Sequence, residues 1–266
     1  MAREVVVLNP EVATQVVIQA RMGSTRLPGK VLLPLNGISV LGHVVRRAAA
    51  AARVDRVVVA TSELCEDDRI VEWCRDNAVN CSRGSATDVL ARFVTTVGEW
   101  PCKTVVRITG DCPAVDPGTV DAVVCHLLDG DFEYVSNLHP PSLPIGFDVE
   151  ALPAQVLRKV AGVATLPSHR EHVTLYIREK CDTFRFGNVS FGRVLTEGRF
   201  VIDHPQDYDF FQRLYALIPD SIQLTSVYEL LNLAALHPEI SALNSSIDRY
   251  EGVRKSVGKE GRKLNL

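Results

Sequence analysis

Runs of β-branched residues that alternate with segments of helical apolar spacing constrain this chain most. Thr14–Gln19 (TQVVIQ) is such a run; a Gly/Pro/basic stretch over 21–30 follows at once, and then Leu41, Val44, Val45 and Ala48 recur at the spacing of one helix face. The pattern predicts strand, loop, helix. It returns as a strand over 54–61, helices over 67–77 and 86–98, and a strand over Thr104–Thr109 that ends in Gly110-Asp111. Strands interleaved with helices are joined by crossovers, so the expected fold is α/β with a largely parallel sheet.

Asp116-Pro117 opens a further helix over 119–128, with Val120, Val123, Val124, Leu127 and Leu128 on one face. The regularity loosens through Pro140-Pro141-Ser142-Leu143-Pro144. It tightens again in helices near 153–161 and 170–178, strands near 184–189 and 199–202, and helices over 207–218 and 227–237 that stop before Pro219 and Pro238. One domain is expected over 14–248, with an irregular substrate- or partner-facing portion at about 134–198 and an N-terminal extension over 1–13. The tail over 249–266 carries six Lys/Arg against two Glu and almost no large apolar residues, so it is expected to be solvated.

Composition closes several alternatives. Of 266 residues 46% are hydrophobic and 23% charged, with Gly 17 and Pro 14, which excludes collagen-like, low-complexity and wholly disordered chains. The longest apolar run, the five alanines 48–52, is far too short to span a bilayer, so a cytoplasmic protein is expected. Seven cysteines, with no C-x-x-C spacing, indicate neither a disulfide framework nor a zinc knuckle. A net charge of −3 gives no reason to expect nucleic acid as a partner, and any anion must be met by a local basic cluster.

The segment Gln19-Ala20-Arg21-Met22-Gly23-Ser24-Thr25-Arg26-Leu27-Pro28-Gly29-Lys30 is that cluster. It leaves the carboxyl end of a strand, where open α/β sheets bind ligands, and it combines glycines and small hydroxyl residues with Arg21, Arg26 and Lys30. It reads either as a polyphosphate cradle or as a strand-to-helix turn with incidental basic residues. Asp111 is either a turn aspartate or an oxygen ligand for a hard cation; Asp203 is either a helix-start residue or a second such ligand. Ser85 and Asp88 suit an N-cap as well as a ligand contact. His169 and His172 lie one helical turn apart, but no third ligand has zinc-site spacing.

Ser24-Thr25-Arg26-Leu27-Pro28-Gly29-Lys30 fits the S-x-R-x-P-x-K signature of the cytidylyltransferases that activate sugar acids. The chain resembles this group of CMP-KDO synthetases and acylneuraminate cytidylyltransferases from about residue 14 to 215. It is most similar to the spore coat polysaccharide biosynthesis (SpsF) branch, through Gln19 to Lys30, Arg107 to Pro113 (RITGDCP) and Arg170 to Thr174 (REHVT).

The resemblance implies a Rossmann-like three-layer, GT-A-like nucleotide-diphospho-sugar transferase fold with a mostly parallel mixed sheet. It implies Mg²⁺ on Asp111 and Asp203, with Asp207 assisting the following helix, and Arg26, Lys30 and Asp111 as catalytic residues. Nucleotide contacts are implied for Gln19, Ala20, Arg21, Gly23, Ser24, Arg26, Lys30, Thr61, Ser85, Asp88 and Arg107. Acceptor contacts are expected from Asp148 and Glu150 of the G-x-D-V-E run, and from His169, Arg170 and His172. The implied reaction moves CMP from CTP to a sugar acid or related small-molecule acceptor with release of pyrophosphate, in a homodimer that binds no membrane. His204 and Gln206 depart from the D-x-P-x-D pattern as relatives often carry it. Another triphosphate, a phosphonate or alcohol-phosphate acceptor, a silent scaffold and a glycosyltransferase are the alternatives. The D-x-D spelling Asp129-Gly130-Asp131, which a glycosyltransferase would need after a strand, follows a helix instead.

Overall fold

The computed structural model describes residues 12–192, 195–219 and 224–264; residues 1–11 of the expected N-terminal extension lie outside them. The first half of the chain runs β1 (Thr14–Gln19), β2 (Pro34–Leu35), β3 (Ile38–Ser39), α1 (Val40–Ala49), β4 (Arg56–Ser62), α2 (Asp68–Asp76), β5 (Asn80–Gly84), α3 (Val89–Glu99), β6 (Thr104–Thr109) and α4 (Pro117–Asp129). Then come β7 (Tyr134–Ser136), β8 (Glu150–Pro153), α5 (Ala154–Val163), α6 (Pro167–Glu171), α7 (Leu175–Glu179) and β9 (Phe186–Asn188). The last elements are α8 (Pro205–Ala216), α9 (Val227–Leu236), α10 (Pro238–Ser241) and α11 (Glu251–Lys259).

The main sheet has the order β5-β4-β1-β6-β8-β7-β9. β5, β4, β1 and β6 are mutually parallel, β8 runs antiparallel to both its neighbours, and β9 is parallel to β7. Alternation along the central strands fills both faces. Val16, Ile18, Val106 and Ile108 join the core under α1 and α4, while Val17 and Val105 join the core under α3 and α5. This three-layer sandwich is the α/β architecture that the strand–helix alternation predicts.

A third cluster, Phe200, Ile202, Phe210, Phe211, Leu214, Tyr215, Val227 and Leu230, packs α8 and α9 together, with Phe200 and Phe210 edge to face at 5.2 Å. It is joined to the strand ends by the Ile202 amide, which donates to the Asp111 carbonyl at 2.9 Å, and by the Phe200 amide, which donates to Ile145 at 2.8 Å.

Three sequence expectations need correction. The helix expected near 170–178 is two short helices, α6 and α7, broken where Val173 takes φ +54°. The strand expected near 199–202 is reduced to one bridge, Arg199 to Ile145, since successive amides turn to different partners, Phe200 to Ile145 and Ile202 to Asp111. The basic tail is not a solvated coil: it folds into α11 and lies against α6.

Candidate active site

Three segments meet at the carboxyl ends of β1 and β6. The first is the loop after β1. Its Met22 amide donates to Asp67 Oδ1 at 2.6 Å, and its Met22 carbonyl accepts from Ser24 at 2.8 Å and Gly29 at 3.0 Å. The loop is thus wound around one peptide unit, and Gly29 completes it at φ +69°, a conformation that favours glycine. Arg21 and Gly23 stay exposed, Ser24 accepts from the Leu27 amide at 3.3 Å, and Lys30 is carried inward on the first turn after Gly29.

The second segment is Gly110-Asp111. The Gly110 amide donates to the Gln19 carbonyl at 2.8 Å, and a Cβ there would stand 3.0 Å from that oxygen and from Ala20 Cβ, so glycine lets the two strand ends close up. The third segment is 199–207. Asp207, fully buried, accepts from the amides of Asp203 and His204 at 2.9 Å each and from Arg199 Nε at 2.8 Å. Asp207 therefore secures the start of α8, as expected, and Asp203 is left free of capping duty.

Lys30 Nζ sits between the two carboxylates, 2.5 Å from Asp111 Oδ2 and 2.6 Å from Asp203 Oδ1. Arg26 Nη2 adds a contact to Asp203 Oδ1 at 3.0 Å, and Arg199 reaches Asp203 Oδ2 at 3.1 Å. Burial opposes the charge on both Lys30 and Asp203, but the pairing outweighs it. Lys30 is held above the ordinary lysine range by Asp111 and Asp203, and the Asp203 carboxyl well below the carboxylate range by Lys30, Arg26 and Arg199. Sequence reasoning did not anticipate Glu251, whose Oε2 accepts from Arg26 at 3.2 Å and meets His204 Nε2 at 2.8 Å. Its signal, a glutamate far along the chain, carries no local pattern.

A second polar cluster lies one strand across. Buried Glu150 accepts from Arg107 Nη1, from Thr174 and from Tyr134 Oη at 2.5 Å, with Arg178 Nε 3.9 Å away. Arg107 Nε in turn donates to Gln19 Oε1 at 3.1 Å, so Gln19, Arg107 and Glu150 form one chain of contacts. Arg107, Arg178 and two hydrogen bonds hold Glu150 below its ordinary range against the effect of burial. Asp148 pairs with Arg249 at 3.0 Å, and burial nevertheless pushes its carboxyl up. Burial also holds the His172 imidazole down to about 4, with Glu171 opposing and Arg107 and Arg178 reinforcing, so it is neutral near pH 7.

The remaining expected residues fall elsewhere or on one another. Asp88 is the N-cap of α3, with Oδ1 on the Ala91 amide at 2.8 Å, and Ser85 Oγ accepts from the Asp88 amide at 3.0 Å. Arg170 forks onto Asp88 Oδ2 at 2.8 and 2.5 Å and donates to the Ala161 carbonyl at 2.7 Å. Asp88 and Arg170, expected on the nucleotide and acceptor sides respectively, are partners of each other. His169 meets Glu179 at 2.9 Å, and Thr61 is buried at the end of β4 with its hydroxyl unpartnered.

Asp111 and Asp203 turn one oxygen each toward a single positively charged centre, the Lys30 ammonium, and no third carboxylate, His or Cys completes a metal cluster among the described residues. Two carboxylates are what Mg²⁺ uses when water and substrate phosphates fill its remaining positions. The residues fit the ion.

A mostly parallel sheet whose central strands end on a basic loop and a pair of carboxylates is the architecture of the nucleotide-sugar transferases, and it defines the class. Comparison with known proteins narrows the class: the family model described as Cytidylyltransferase matches residues 15–233, and the chain belongs to that family of nucleotidyltransferases. It is 34% identical over 232 residues to the spore coat polysaccharide biosynthesis protein SpsF of Bacillus subtilis, covering 84% of this chain and 94% of that one. It is 37% identical over 119 residues to a 3-deoxy-manno-octulosonate cytidylyltransferase of Anaeromyxobacter dehalogenans, covering 43% of this chain and 47% of that one. Among solved structures it is similar to a cytidylyltransferase from Leptospira borgpetersenii, with a TM-score of 0.83 and 30% identity over 90% of this chain and all of that one. A CMP:2-keto-3-deoxy-manno-octonic acid synthetase complexed with CTP shares the fold, with a TM-score of 0.61, 19% identity and coverage of 77% and 98%.

Proposed function

We propose that this enzyme transfers CMP from CTP to a sugar acid or related small acceptor, releasing pyrophosphate, in the synthesis of a surface polysaccharide or natural product. The observation that carries the reading is the convergence of Arg26 and Lys30 with Asp111 and Asp203 at the ends of β1 and β6. Family membership and the names of the relatives support CTP and the polysaccharide setting.

In the reaction an acceptor oxygen attacks the α-phosphorus, and the bond to the β-phosphate oxygen breaks. Such a step needs in-line placement and neutralisation of charge more than covalent help from the protein. Arg26 and, once it leaves the two carboxylates, Lys30 would receive the β- and γ-phosphates. Asp111 and Asp203 would hold Mg²⁺, which when bound offsets the charge on the phosphate oxygens. Gln19 and Arg107, on the nucleotide side, are tied to buried Glu150 on the acceptor side, so the two substrates would meet along these strand ends. Among the described residues no helix is long and apolar enough to cross a membrane. The resemblance also implies a homodimer, which sedimentation equilibrium would read directly.

The test is transfer of label from each of the four α-³²P-labelled ribonucleoside triphosphates to a panel of acceptors that includes KDO, N-acetylneuraminate and a phosphonate, with Mg²⁺ present. Label on one acid from CTP alone is expected; equal transfer from all four triphosphates, or label on none, would count against the reading.

A further inference from the structure

The C-terminal segment is attached to the candidate site chiefly by charge. Of α11 only Val257 is buried. Its near anchors are Arg249, on Asp148 at 3.0 Å and on the Leu143 carbonyl at 2.9 Å, and after it Glu251, on Arg26 and His204. Its far anchors are Ser256 Oγ on Glu171 at 2.7 Å, Glu260 on the amide and hydroxyl of Ser168 at 2.6 and 2.9 Å, and Arg262 on Glu179 and Glu260. The whole segment lies beyond residues 15–233, where the family match ends.

The charge at the near anchor does not suit a polyphosphate. Arg26, Lys30 and Arg199 face Asp111, Asp203, Asp207 and Glu251, three cations against four carboxylates. A phosphate brought to Arg26 meets the Glu251 carboxylate on the same guanidinium, and like charges at that distance repel. Glu251 is also the most exposed of the four, with 41% of its side chain accessible against 22% or less for the others. It stands on its own helix, whereas Asp111 and Asp203 are joined through the Ile202–Asp111 hydrogen bond. Releasing an exposed pair of this kind costs little.

We propose that Glu251 is a displaceable stand-in for a substrate phosphate on Arg26, and that segment 251–262, hinged at the Arg249–Asp148 pair, is a strap which polyphosphate binding unlatches. The inference rests on Arg26 being a phosphate-holding group. Once Glu251 withdraws, three cations face three carboxylates, and Arg26 Nη1 is free for a phosphate oxygen while Nη2 keeps its contact with Asp203. His204, which departs from the usual motif, then has a structural reason: it supplies the second contact that latches the strap.

Inorganic pyrophosphate probes Arg26 without a nucleobase or an acceptor. Its binding to the full chain is measured by titration calorimetry for wild type and Glu251→Gln, which keeps the shape and removes the charge, while hydrogen exchange follows the amides of α11. Pyrophosphate is expected to bind the variant about fivefold more tightly, the worth of one exposed ion pair, and to speed α11 exchange in wild type. Equal or weaker binding by the variant, slower α11 exchange on adding pyrophosphate, or no binding by either protein would overturn the proposal. If pyrophosphate behaves as expected but CTP fails to bind, the nucleotide assignment falls and the strap stands.

Discussion

Glu150 shows how a buried charge is retained beside the candidate site. It has lost its water, and Arg107, Thr174 and Tyr134 supply the contacts that replace it. Tyr134→Phe removes one of the donors and is expected to cost about 1–3 kcal/mol of stability, as for a hydrogen bond to a charged group; urea unfolding measures it. Two titrations act on stability from the same pocket. His172 is held down to about 4 by burial, so between about 6.5 and 4 the unfolded chain binds a proton that the folded one refuses, and stability falls as pH falls through that window. The loss amounts to about 3 kcal/mol at most. Glu150, held low, adds stability that is present above its unfolded value near 4.3 and is lost as pH falls below it. Urea midpoints measured from pH 8 to 4.5 should decline below about 6.5 in wild type and decline less in His172→Gln. Equal slopes would show that His172 is not held neutral.

At the scale of elements, the segment carrying Asp203 is held in place by its meeting with Gly146. Gly146 has φ +107°, and a Cβ there would lie 1.9 Å from the Phe200 carbonyl oxygen. No small adjustment relieves a clash with backbone. Gly146→Ala is therefore expected to lower the melting temperature by about 5 °C or more, on the scale of about 2–4 °C per kcal/mol for a chain of this size. It should also weaken activity by parting Asp203 from Asp111, and a variant with wild-type melting and turnover would contradict this. Strands Thr14–Gln19 and Thr104–Thr109 were legible in the sequence to the residue, because parallel central strands are buried on both faces and read as apolar runs. β5 was not, since Asn80–Gly84 (NCSRG) is an edge strand that pairs only with β4 and needs no apolar alternation. Three- and four-residue strands such as β7 and β8 are too short to show a period. The break between α6 and α7 falls on Val173, a β-branched residue at positive φ, for which no residue-type preference gives warning.

For the whole molecule, the site was legible where its residues stand in ordered motifs at strand ends. Arg26, Lys30, Asp111 and Asp203 meet although up to 177 residues separate them (203 − 26), because parallel β1 and β6 end at one edge of the sheet and the Ile202–Asp111 hydrogen bond holds the 199–207 segment beside them. The strap was not legible. Its contacts, such as Arg26 with Glu251 and Ser168 with Glu260, are single charge pairs between remote segments, and with Val257 as its one buried anchor the helix shows too little apolar periodicity to predict docking. The central claim, that Asp111 and Asp203 serve one phosphate-transfer centre, is tested most directly by the initial rate of pyrophosphate release with CTP, Mg²⁺ and a sugar-acid acceptor, comparing wild type with Asp111→Asn and Asp203→Asn. Each variant is expected to fold and to lose about 10²–10³-fold in rate, the usual effect of removing one charge-stabilising group. A wild-type rate in either variant would contradict the account.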